Sequence, residues 1–213
     1  MKKKYIKLFM LIISVFVLSG CVNVGKDNPE SIINYVISNN NNMANHVNRG
    51  FKYYIPRGLS VSYKTDFNEI IKSKSYDYYL YVDLVSYYNK TDLSYSASDG
   101  YYLSKTFADN KGIINITKLE SRYLISLEYN YAKIEVLVKE KDINMAISNS
   151  IIICSSISYN DDTIKAIFDE GVLSTNEKTI NVFKTNDEQN RNLLELEDDS
   201  FTYEPAKDRD YIN

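Results

Sequence analysis

Few residue types in this 213-residue chain could do chemistry: one histidine, two cysteines and scattered carboxylates, set among twenty tyrosines. His46 is the single histidine, and it sits beside an asparagine-rich stretch. Ser-His-Asp catalysis needs one histidine but also a nucleophile on a strained turn, and no G-x-S-x-G is present. A histidine zinc cluster is excluded by count, and Cys/His ligand spacing is absent, so no metal site is expected. His46 is therefore expected to be an exposed polar residue. The glycines are too scattered to write either G-x-G-x-x-G or a Walker A loop, so no nucleotide cofactor is expected.

Carboxylate chemistry survives this elimination, because glycoside hydrolysis needs only two acids. Asp83, on a tyrosine-rich strand, is the best candidate, with Asp77 or Glu128 as its partner. Solvated strand acids are the plainer account of all three. The acids Glu195, Glu197, Asp198 and Asp199 lack the spaced oxygens and glycine of a calcium loop. Tyrosine density is more informative: nine of the twenty lie between Tyr76 and Tyr102. Tyrosine joins a large apolar ring to a hydrogen-bonding tip, which suits contact surfaces and sugar stacking. Asn, Ile, Lys and Tyr are all abundant, so part of the excess belongs to composition. Tyr79, Tyr81, Asp83 and Tyr87 alternate along one run and form the candidate binding face.

The first 21 residues carry an address. Lys2, Lys3, Lys4 and Lys7 form a basic start, Leu8 to Leu18 is uncharged and apolar, and small residues precede Cys21. This is a secretory-signal pattern, and the apolar run is too short to span a bilayer comfortably. Leu18-Ser19-Gly20-Cys21 resembles the lipobox of bacterial lipoproteins. The resemblance implies cleavage after Gly20, a diacylglycerol on the Cys21 sulfur, and a protein held on the extracytoplasmic face of the cell membrane. Two acyl chains anchor stably where one does not.

Cleavage would shorten 213 residues to 193 and remove four lysines, taking the formal net charge from −3 to −7. An acidic chain is a poor partner for nucleic acid and does not grip anionic headgroups by overall charge. With Cys21 lipidated, Cys154 has no disulfide partner and reads as a buried small hydrophobe within Ile151-Ile152-Ile153-Cys154.

These residues need elements to position them. After a tether over 21–27, Asn28-Pro29-Glu30 opens a helix bearing Ile32, Ile33, Val36 and Ile37 on one side. Met43, Ala44 and Val47 could continue the same face. Phe51 to Ile55 alternates as a strand closed by Pro56-Arg57-Gly58, and Leu59 to Tyr63 is extended. Phe67 to Ile71 fits a helical turn or a strand equally well. Tyr78 to Tyr88 reads as one strand, with Tyr78, Leu80, Val82 and Leu84 on its apolar side.

Asp99-Gly100 marks a hairpin turn into Tyr101-Tyr102-Leu103, and Ile113 to Thr117 is extended. Tyr123–Tyr129 and Ile134–Val138 pair across residues 130–133. Asp142 caps a second helix, Ile152 to Tyr159 alternates like a strand, and Asp162 caps a third helix stopped by Gly171. From 175 to 213 acids outnumber bases ten to five, which reads as a largely disordered acidic tail.

The expectation is a single α+β domain over 28–174, an antiparallel sheet with helices packed mainly on one face. The run Phe51-x-Tyr53-x-Ile55-Pro56-x-Gly58, then hairpins, a helix and a last strand, is similar to the order in PsbP/Mog1-like domains. That group shares no catalytic residues to carry over. The functional expectation is a membrane-anchored, non-enzymatic binding or assembly module of the cell envelope, holding an envelope protein or polysaccharide. A carboxylate-dependent cell-wall hydrolase is the alternative.

Overall fold

The computed structural model describes residues 28–39 and 43–171. Cys21, the tether and the acidic segment 175–213 lie outside the described residues.

The alternating segments pair antiparallel into a seven-stranded sheet of order β3-β4-β5-β9-β8-β7-β6. Its strands are β3 Ser60–Lys64, β4 Asn68–Lys72, β5 Asp77–Val82, β6 Leu103–Phe107, β7 Gly112–Leu119, β8 Arg122–Tyr129 and β9 Ala132–Val138. A smaller sheet, of order β1-β2-β10, joins β1 His46–Asn48 and β2 Phe51–Tyr53 to β10 Ser158–Tyr159. Helices α1 Pro29–Ser38, α2 Leu84–Tyr88, α3 Ile143–Ser156 and α4 Asp161–Asp169 complete an α+β fold.

One face of the large sheet is the core. Leu80 stands opposite Ile134, Ile134 opposite Leu127 and Leu127 opposite Ile114, giving a row of buried aliphatics across four strands. Each such side chain contributes about 1.5–3 kcal/mol on leaving water. α3 lies on this row, packed on β8 and β9 with α1 beside it. Asn28 starts α1 as expected, its Oδ1 accepting from the Ser31 N–H at 2.9 Å. The β8–β9 hairpin turns on Asn130 and Tyr131, both at positive φ (53° and 56°), the type I′ geometry that matches strand twist. The Asn130 amide then donates to the Cys154 and Ile157 carbonyls at 3.2 and 2.9 Å, pinning the hairpin to the end of α3.

Several expected boundaries move, each for a local reason. The strand read from Tyr78 to Tyr88 stops at Val82, because Asp83 caps α2: its Oδ1 accepts from the Ser86 N–H at 2.8 Å. Residues 152–156 are helical, not a strand. α3 buries Ile147, Ile151, Ile153 and Cys154 together with Asn149, Ser150, Ser155 and Ser156, so its last two turns are covered on most sides and offer no apolar stripe to read. Met43 to Val47 does not prolong α1, since His46–Asn48 pairs with β2.

The turn at Asp99-Gly100 exists but joins no strand pair. β6 and β7 are connected instead through Ala108, Asp109 and Asn110, all at positive φ. Asn160, not Asp162, caps α4, accepting from the Thr163 N–H at 3.0 Å. Asp142 precedes α3 without capping it through its side chain, which accepts from the Tyr76 hydroxyl at 2.5 Å.

Candidate functional site

β5 presents Tyr78, Leu80 and Val82 to the core, so Tyr79 and Tyr81 stand on the opposite, outward face. Strand register extends that face sideways. Tyr63 of edge strand β3 lies opposite Ile70, Ile70 opposite Tyr79, and Tyr79 opposite Glu135. Tyr63 is 38% exposed, while Ile70 and Tyr79 are half-buried. The result is an aromatic and apolar shelf at the β3 side of the sheet.

Toward the other side the outward face is covered. Residues 89–102 cross it without regular structure, held by the Tyr131 hydroxyl on the Thr91 carbonyl (3.0 Å), the Tyr95 N–H on Asn110 (2.9 Å) and the Ser98 N–H on Ser104 Oγ (3.0 Å). Under this strap lies a half-enclosed cleft of about 40 Å³ lined by Tyr81, Asp83, Leu93, Tyr95, Glu128 and Lys133, among others. That is room for about three waters, at 10–15 Å³ of such space per molecule.

Charges in and beside the cleft are unusual for a sheet face. Lys133 and Glu135 are both nearly buried and paired at 2.8 Å. Glu128 stands opposite Lys133 in the ladder and accepts a hydrogen bond from the Tyr95 hydroxyl. Burial raises its carboxyl above the usual carboxylate range; Lys133 and Tyr95 pull it back, and Glu135 adds to the rise. Asp83 is engaged at both oxygens by Ser86, from N–H at 2.8 Å and from Oγ at 2.7 Å.

The four expected binding-face residues therefore separate. Tyr79 belongs to the shelf, Tyr81 and Asp83 to the cleft. Tyr87 lies on α2, its ring stacked on Tyr159 with centroids 3.8 Å apart and Lys90 Nζ 4.0 Å over it. Its hydroxyl donates to Asp161 at 2.8 Å, so this residue ties α2 to α4 and β10. Of the acid partners considered for Asp83, Glu128 shares its cleft, whereas Asp77 is at the far end of β5 and pairs with Lys72 at 4.0 Å.

No protein family and no curated protein matches this chain. The assignment of a site rests on its own geometry.

His46, expected to be an exposed polar residue, is not one. It is half-buried, and its Nε2 lies 3.1 Å from both carboxylate oxygens of Glu69. A carboxylate only accepts, so Nε2 carries the proton. Asn48 Nδ2 donates to the same carboxylate at 2.6 Å, and the Tyr53 hydroxyl donates to it as well. Glu69 comes from β4 on the core face, whereas its three donors come from β1 and β2. One carboxylate thus clasps the small sheet to the large one. A period-two placement of His46 and Asn48 was the available signal.

Burial raises the phenols of Tyr53, Tyr95 and Tyr159, and pushes that of Tyr87 up to about 12 from the usual 10. The unfolded chain therefore loses these protons first as pH rises. Their stabilisation is complete below pH 10 and disappears as pH climbs through the folded values. An ultraviolet titration is expected to show some phenolates forming only near pH 12, together with unfolding. Uniform ionisation near pH 10 with the fold intact would contradict this burial.

Proposed function

We propose that this protein is a lipid-anchored, non-enzymatic binding module of a bacterial cell envelope, taking a protein or polysaccharide partner on its outward sheet face. The observation that carries the binding reading is the row Tyr63, Ile70, Tyr79: aromatic, partly exposed and lying beside edge strand β3. Tyrosine is enriched at interfaces because it covers area while keeping a polar tip. The address rests on the basic start and on Leu18-Ser19-Gly20-Cys21.

Asp83 and Glu128 share a cleft, which favours the hydrolase alternative; but Ser86 occupies both Asp83 oxygens, and space for about three waters does not admit a sugar ring. Binding is the better reading.

In cells fed labelled fatty acid, the chain should take up label and lose it on Cys21→Ser. A cross-linking pull-down from envelope fractions should recover a partner with the wild type and lose at least ten-fold of it with Tyr63→Ala/Tyr79→Ala, the fold being unchanged by circular dichroism. Equal recovery would remove the shelf from the proposal, and an unlabelled wild type would remove the anchor.

A further inference from the structure

The last helix delivers the chain to one edge of the large sheet. Arg49 Nη2 donates to Glu170 at 2.5 Å, and Nη1 of the same guanidinium lies 3.6 Å from Asp66. Asp66 is in the turn between β3 and β4, two residues past the Lys64 end of β3. Gly171 follows Glu170 directly, so the chain leaves α4 beside that end of the strand. Among the described residues β3 is the outermost strand on its side of the sheet. An edge strand presents a row of backbone N–H and C=O groups to any strand laid beside it.

The residues that follow contain a matching segment. Thr179-Ile180-Asn181-Val182-Phe183-Lys184 is rich in β-branched and aromatic types and holds no Gly or Pro. Period two puts Ile180 and Val182 on the same side of it. Residues 172–178 can bridge up to about 24 Å at ~3.4 Å each, more than the roughly 17 Å length of β3. A strand entering at the Lys64 end must run toward Ser60 to stay on the edge. That direction is antiparallel to β3, as in every other pair of this sheet.

Charge agrees with this direction. Arg57, Lys72 and Lys74 are exposed around the Ser60 end of β3, where Lys72 stands opposite Ser60 and Asp77 lies 4.0 Å from Lys72. A strand over 179–184 that runs this way brings Asp187, Glu188 and the acids after them to those cations. The register shift between Val61 and Tyr63 bends the edge, which works against pairing with the matching edge of a second copy. A strand tethered to α4 meets the same edge at an effective concentration on the order of millimolar.

We infer that residues 179–184 add to β3 as an eighth, antiparallel strand, with Ile180 and Val182 beside Tyr63 and the acids from Asp187 onward against Arg57, Lys72 and Lys74. The row Tyr63, Ile70, Tyr79 then gains one more strand of apolar surface. The inference goes beyond the binding reading and does not depend on it, because the chain itself supplies the occupant.

The test is amide hydrogen exchange followed by NMR on the isotope-labelled full chain at two protein concentrations. The β3 amides that point away from β4 should exchange slowly in the wild type, at the same rate at both concentrations. Ile180→Asp/Val182→Asp should speed them at least ten-fold, while the protection of β8 and β9 stays constant and reports an intact fold. Leu193→Asp/Leu194→Asp, which alters the other apolar pair of the tail, should leave them unchanged. Unprotected β3 amides in the wild type, no acceleration in the Ile180/Val182 variant, or equal acceleration by the Leu193/Leu194 variant would each overturn the inference. Protection that rises with concentration would overturn it too, by assigning the edge to a second copy.

Discussion

Glu69→Ala is expected to lower the unfolding free energy by about 3–5 kcal/mol, the range for breaking a buried charged network by removing one member. The Glu69 side chain is fully buried, and its carboxylate gathers His46 Nε2, Asn48 Nδ2 and the Tyr53 hydroxyl. Deleting it leaves the Tyr53 hydroxyl, itself inaccessible to water, without its acceptor. An unsatisfied buried donor costs about 1–3 kcal/mol by itself. The asparagine keeps one bond, to the Thr65 carbonyl at 3.0 Å, so the loss is not the full sum over donors. Tyr53→Phe should cost less, because the carboxylate would keep two partners. Urea unfolding of the three proteins gives the answer through the shift of the midpoint at constant slope. A Glu69→Ala midpoint within error of wild type would mean that the clasp does not hold the small sheet.

Leu127→Ala is the second large effect, expected at about 3–5 kcal/mol from the measured range for buried leucines. Leu127 is fully buried in β8, with Ile114 and Ile134 directly opposite on either side and α3 above. Neighbours fixed by two ladders cannot easily collapse into the space, which places the loss toward the upper part of the range. The outward neighbour Ser126, opposite Asn115 and Glu135, makes the contrast: Ser126→Ala should change stability by less than about 0.5 kcal/mol. Thermal and urea unfolding of both variants would check the pair. Similar losses at the two positions would mean that the two sheet faces have been assigned wrongly.

The difference between these faces was legible in the sequence wherever alternation ran unbroken. Tyr123–Tyr129 and Ile134–Val138 declare their hairpin because residues of period two flank a short turn, and β8 and β9 follow almost to the residue. Asn28-Pro29-Glu30 likewise announces α1 through chemistry local to its first turn. Legibility fails where local signals are shared by two outcomes. Alternation from Tyr78 continues in pattern past Val82, yet one side-chain cap from Asp83 converts the next residues into α2. Ile151 to Cys154 is apolar on every side in α3, so periodicity could not distinguish helix from strand.

The candidate site was legible in part. Tyr79 and Tyr81 were placed on the correct strand face, and Asp83 was linked to Glu128 as one of two partners. The strap and Lys133 were not foreseen, because the cleft depends on a coil segment crossing the sheet. Nothing within either segment records that crossing. His46 was missed for a similar reason: its partner Glu69 is 23 residues away on another sheet.

The pairing of β2 with β10 sets Lys52 opposite Ser158 and Phe51 opposite Tyr159, joining stretches separated by about half the chain. Closing so distant a pair is slow compared with forming the hairpins between them. During synthesis the early strand is made long before its last neighbour emerges from the ribosome. A polypeptide arranged in this way leaves its small sheet open until late, and the final stitch is made only once residues 158–159 are available.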